Sequence, residues 1–145
     1  MITYTNYFYT LLQDLQTLLQ TEFTDHPVLI GDRAVIQQYP CIILEPYDKD
    51  IDADKSSGKK DFNFHIYIWV YQTQNENEQA VSQLTDTCER IEELLIDYRE
   101  NPIQDGSKWY ISSPGKVKYG QINKAGELLR TAQIEWNFKK RVNRN

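Results

Sequence analysis

Cysteine, histidine, proline and glycine are all scarce in this chain, and each scarcity closes off a class of function. The two cysteines, Cys41 and Cys88, stand singly in an apolar strand pattern and on the apolar side of a helical pattern. They read as small buried hydrophobes, not as a disulfide or a metal pair. The two histidines, His26 and His65, share no cysteine or acid at metal-ligand spacing. With five prolines and six glycines, the composition gives no basis for a long disordered segment. Long uninterrupted apolar runs are missing too. The opening stretch MITYTNYFYTLLQDLQTLLQ is broken by Gln and Asp every few residues and has no basic leader. It fits neither a signal peptide nor a membrane span, so a cytosolic protein without membrane contact is expected.

Catalytic motifs are lacking as well. GxSxG, P-loop, GxGxxG and HExxH patterns do not occur. Ser56-Ser57-Gly58-Lys59-Lys60 lacks the upstream glycine and the following helix of a phosphate loop. Cys88 has no evident activating base. Glu92-Glu93 reads as a solvating pair on a helix exterior. The expectation is a non-enzyme with no cofactor.

What the chain does have is aromatic surface and charge polarity. Ten tyrosines and three tryptophans are many for 145 residues, and such rings suit half-buried strands and interfaces. The net charge of −5 hides two opposed regions. Residues 76–100 carry eight acids and two bases, net −6, while residues 107–145 carry nine bases and two acids, net +7. Overall acidity argues against a dedicated nucleic-acid binder. Opposite charges on one molecule suit head-to-tail self-association.

Periodicity outlines the fold. Phe8, Leu11, Leu12, Leu15, Leu18, Leu19 and Phe23 recur at helical spacing, predicting a helix over 3–23 that His26-Pro27 closes off. VLIGD is a turn or short strand, and PCIILEP a short buried strand. In DFNFHIYIWVYQTQ, Phe62, Phe64, Ile66, Ile68 and Val70 share one face. His65, Tyr67, Trp69 and Tyr71 share the other. Both faces are apolar or aromatic, so each needs a cover. Val81, Leu84, Cys88, Ile91, Leu95 and Tyr98 form the stripe of a second helix, with Asn75 as its cap and Asn101-Pro102 as its stop. KWYISS reads as a strand, Pro114-Gly115 as a turn, and 116–127 as a strand or loop. RTAQIEWNFKKRV closes the chain as a strand with Ala132, Ile134, Trp136 and Phe138 turned inward. The fold class is α+β: one domain, two helices on one face of a mixed, mostly antiparallel sheet, with a long hairpin loop.

That loop, 47–60, places Asp48, Asp50, Asp52 and Asp54 at alternate positions. Counted from Asp50, the acids match a calcium loop at its first, third and fifth positions, with Asp61 at the twelfth. Lys55 occupies the position where glycine is required, and Lys49, Lys59 and Lys60 would repel a cation. A solvated, mobile hairpin loop is the expected structure.

The sequence of segments resembles the tail-terminator, or tail-completion, proteins of long-tailed bacteriophages. The resemblance rests on the first helix, YPCIILEP, the long polar loop, FNFHIYIWVYQ and NEQAVSQLTDTCERIEELLID. It extends to KYGQINKAGELLRTAQIEW and the closing LLRTAQIEWNFKKRV. It implies a homo-oligomer, a hexameric ring that caps the tail tube, ends its polymerisation and joins tail to neck or connector proteins. Genomic DNA would pass through its lumen without specific binding. The protein would be made in the host cytoplasm and end in the virion. Tyr67, Trp69 and Tyr71, with Lys139, Lys140 and Arg141 of a basic tail over 139–145, are the candidate subunit-interface residues. Asp48, Asp50, Asp52, Asp54, Lys55, Lys59 and Lys60 would face the lumen or a neighbour. Another neck protein, a connector or stopper, and a small ligand-binding domain or enzyme are the competing readings.

Overall fold

The computed structural model describes residues 1–54, 59–73, 77–100 and 111–143. Among them are two helices and a five-stranded mixed sheet, an α+β fold. Helix α1 spans Tyr7–Glu22 and helix α2 Asn77–Glu100. The strands are β1 (Val28–Ile30), β2 (Cys41–Asp54), β3 (Lys59–Thr73), β4 (Ile111–Lys124) and β5 (Glu127–Asn143).

α1 starts later than its periodicity suggests because Asn6 caps it. The Asn6 side chain accepts from the Tyr9 N–H at 3.1 Å, satisfying one of the free donors of the first turn. The helix stops at Glu22, before His26-Pro27, and Gln20 holds the chain where it leaves. Its amide nitrogen donates to the Phe23 and His26 carbonyls at 2.8 and 2.9 Å, and its oxygen accepts from the Val28 N–H. The Asn75 cap expected for α2, the IQDG turn and residues 108–110 of KWYISS lie outside the described residues.

The strand order is β1-β2-β3-β5-β4, with β1 parallel to β2 and the other pairs antiparallel. Parallel neighbours require a crossover connection. Here residues 31–40 provide it, ending at a cis Tyr39-Pro40 bond. Ala125 and Gly126, both at positive φ, close the two-residue β4–β5 hairpin between Lys124 and Glu127, the backbone that matches strand twist.

The alternation predicted for β3 and β5 holds. Phe64, Ile66, Ile68 and Val70 of β3 pack with Ala132, Ile134, Trp136 and Phe138 of β5 in one buried cluster. Leu11, Leu15 and Leu19 of α1 and Leu84, Cys88, Ile91 and Leu95 of α2 belong to the same cluster. A smaller cluster on the other face joins Cys41, Ile43, Tyr71 and Leu129 to Ile36 and Tyr39 of the crossover. The crossover, not a helix, is therefore the second cover at this end of the sheet. It is too short to reach the rest.

Three expectations are corrected. Of the expected loop 47–60, residues 47–54 and 59–60 are strand, since β2 continues through Asp54 and β3 begins at Lys59. A third strand, β5, runs beside β3 as far as the Lys59–Asn143 pair, so ladder hydrogen bonds hold residues whose composition is that of a loop. Residues 139–143 are likewise strand and not tail. Pro114-Gly115 is a bulge within β4: the register shifts between Pro114 and Val117 while the strand continues.

Candidate functional site

Among the described residues, the sheet face opposite the helices is covered only where the crossover passes. Beyond Tyr71 it bears Trp69, Tyr67 and His65 on β3, with Gln133, Glu135 and Asn137 beside them on β5 and Glu45, Asp48 and Asp50 on β2. All three β3 side chains are half-buried by their neighbours within the sheet. The rings form a row: Trp69 stacks near Tyr71 at 5.9 Å, Tyr67 meets Trp69 edge-on at 6.2 Å, and Tyr47 stacks on Tyr67 at 4.3 Å.

Tyr47 joins this row because β2 carries a register shift between Pro46 and Asp48. The extra residue has no ladder partner and its ring stays 60% exposed. The Tyr67 phenol is pushed up to about 12 by burial, by its hydrogen bond with Tyr47 and by the Glu135 charge. Tyr67 is therefore a neutral amphipathic group over the physiological range. Next along the face, His65 bonds Asn137 through Nδ1 and lies 3.5 Å from Asp50 through Nε2. This cross-strand set links β2, β3 and β5.

The candidate interface residues separate. Tyr67 and Trp69 remain on the open face, but Tyr71 is 4% exposed beneath the crossover, which removes it from any interface. Burial and the Asp32 and Glu45 charges raise its phenol strongly. Lys139 is exposed and lies 3.7 Å from Asp61. Lys140, one residue on, turns to the helix face and is 3% exposed, its ammonium 5.5 Å from the Tyr7 ring centroid. Because β5 runs on through Asn143, period two turns Lys140 to the same side as Phe138 and Trp136 and removes it from the expected interface. Arg141 pairs with Asp61 in the backbone register. Asp48 and Asp50 share the open face at strand spacing, and Lys60 lies over Phe62 on the helix face. Asp52, Asp54 and Lys59 are on strands, and Lys55 lies outside the described residues. A calcium loop would need the chain to curl round the ion; Asp50 to Asp54 run extended.

A second feature escaped the sequence reading. His26, taken there only as a helix-end residue, is buried. Its Nδ1 lies 2.8 Å from Asp25 Oδ1 and its Nε2 3.3 Å from Thr87 Oγ1. Thr87 donates its own proton to the Gln83 carbonyl at 3.0 Å, so its oxygen is not poised as a nucleophile. The His26 hydrogen bond holds the Asp25 carboxyl below its ordinary value. These residues, with Gln72, Gln83 and Arg90, line a cleft of about 600 Å³. They tie the α1–β1 turn to α2. Adjacent Asp and His in the sequence were the only signal for it.

No protein-family model matches the chain, and no curated protein does either. Among the described residues no group of three or more His, Cys, Asp or Glu is placed to share a metal ion. No helix among them is long and apolar enough to cross a membrane. Burial pushes the Cys41 thiol up to about 11 and the Cys88 thiol up to about 12, the opposite of an activated nucleophile.

Proposed function

We propose that this chain is a structural protein of long-tailed bacteriophages that assembles into a ring, caps the tail tube, ends its polymerisation and offers the surface for joining tail to neck. The carrying observation is the aromatic row Tyr47, Tyr67 and Trp69 on a sheet face that neither helix nor crossover covers. Large amphipathic rings beside Glu45, His65 and Glu135 have the make-up of an interface with a polar rim. The element order that resembles tail terminators supports the same reading. In it the mechanism is steric and cooperative. Subunits bind the last tube ring better than further tube subunits do, and DNA crosses the lumen without sequence-specific contacts.

Native mass measurement with negative-stain microscopy tests this. Six-fold rings that bind tube ends and halt elongation are the expected result. A monomer that persists at high concentration and ignores tube ends overturns it. The cleft of about 600 Å³ around His26, Thr87 and Arg90 favours a second reading, a small-ligand-binding domain. A monomer whose melting temperature rises with small polar ligands would select that reading.

A further inference from the structure

The sheet has two outer edges, and they differ in charge. On one side β1 pairs only with Ile42–Leu44 of β2. From Glu45 to Asp54 the outer edge of β2 has no neighbouring strand among the described residues. On the other side β4, Ile111–Lys124, is the last strand of the sheet. Such edges present backbone N–H and C=O groups able to pair with another chain.

The β2 segment carries Glu45, Asp48, Asp50, Asp52 and Asp54 against one base, Lys49. Lys49 is turned to the helix face, its ammonium 4.9 Å from the Phe62 ring centroid, so it does not offset the acids of the open face. The β4 segment carries Lys116, Lys118 and Lys124 and no acid. Lys116 and Lys118 are exposed, while Lys124 is held by Asp32 at 2.9 Å.

We propose that a second copy of this chain docks edge to edge, its β4 adding to the free part of β2, so that successive sheets run on as one. The proposal rests on the ring reading above and assigns its subunit contact. Three arguments carry it. First, like charges oppose β2-to-β2 and β4-to-β4 pairing, while opposite charges favour β2-to-β4. Two-fold dimers are thus discouraged and the head-to-tail contact that generates rings is left. Second, β2 and β4 run in opposite directions within the sheet. Copies of like orientation therefore meet antiparallel, the pairing already used between β2, β3, β5 and β4. Third, β1 blocks β2 as far as Leu44, so neighbours must be staggered along the strands. Stagger of this kind accompanies the strand tilt of a closed sheet. Pro46 and the two bulges interrupt both edges, which confines the contact and limits open-ended growth.

The test is a charge swap in the full chain. Asp48→Lys with Asp50→Lys, and separately Lys116→Glu with Lys118→Glu, are each expected to raise the concentration for half-assembly at least ten-fold. Circular dichroism should stay that of the folded monomer. Mixing the two variants matches an acidic edge to a basic one at both contacts of an alternating assembly, so it should restore assembly, with the two variants in equal numbers. Combining all four changes in one chain should restore closed assembly. Hydrogen exchange supplies an independent readout: backbone amides within 45–54 and 111–124 should gain protection on assembly. Wild-type oligomers whose half-assembly concentration ignores both reversals, with no protection at either edge, overturn the edge contact and leave the ring reading standing. A wild type that never assembles overturns both.

Discussion

Tyr47 stacks on Tyr67 across the β2–β3 ladder, ring centroids 4.3 Å apart and planes 30° from parallel. The pair exists because the β2 register slips by one residue after Pro46, returning an exposed ring to the face that bears Tyr67. Tyr47 buries little of itself in the fold, so its ring is available to a partner. Tyr47→Ala is expected to lower stability by about 0.5–1.5 kcal/mol while reducing assembly measurably. Sedimentation velocity beside thermal melting separates the two effects. Undiminished assembly would remove the aromatic row from the interface.

Adjacent lysines on β5 should behave oppositely. Lys139 is exposed beside Asp61, whereas Lys140 is buried with its ammonium over the Tyr7 ring. Lys140→Glu places an acid on the helix face and is expected to cost about 3–5 kcal/mol. Lys140→Met keeps the apolar stem and should cost less than Lys140→Glu. Lys139→Glu should leave the melting temperature nearly unchanged. Urea unfolding of the three variants checks the order.

Gly115 sits in the β4 bulge against β5. A Cβ there would lie 2.6 Å from the Glu135 carbonyl oxygen and 2.9 Å from the Glu135 Cβ. Backbone must shift to admit it, so Gly115→Ala should destabilise by about 1–3 kcal/mol. Unfolding at unchanged stability would show that the bulge opens freely.

The thiols should be silent in the native protein. Both cysteines are buried and their thiols are raised to about 11 and about 12, so thiolate is scarce at neutral pH. Labelling by a thiol-reactive disulfide at pH 8 is expected to require unfolding, at a rate that follows urea concentration. Rapid native labelling of either residue would contradict the packing around it.

Asp25 sets a pH dependence. Its folded carboxyl is lowered from 3.8, first by the hydrogen bond from His26 and then by its own backbone. A depressed acid stabilises the fold above its unfolded value and loses that contribution as pH falls through the folded one. Asp25→Asn should therefore flatten the acid limb of the melting curve below about pH 4 and leave its shape above pH 6 unchanged. An identical acid limb in the variant would show that Asp25 does not contribute.

Much of the fold was legible because burial acts on periodicity. Leu11, Leu15 and Leu19 on α1, and Ile134, Trp136 and Phe138 on β5, lie where spacing places them, since only one face of each element leaves water. Lys140, assigned to a basic tail on its charge, is buried by the same rule, two residues beyond Phe138 on β5. The candidate site was legible only in part. Tyr67 and Trp69 could be assigned to a face, but nothing local could say that residues 31–40 would shield Tyr71 and leave them open.

Local sequence by itself determined the two helices, the core strands and their apolar faces, because each depends on neighbours a few residues away. Tertiary structure decided the rest. Composition at 47–60 is that of a loop, yet residues 47–54 and 59–60 are strand, with β5 supplying ladder partners to β3 as far as Lys59. Pro114-Gly115 has the residues of a turn, yet pairing with β5 on both sides carries the chain through as a bulge. His26 meets Thr87 only because α2 packs against the α1–β1 turn. In each case the deciding hydrogen bonds and contacts come from residues distant in the chain, and local pattern does not encode them.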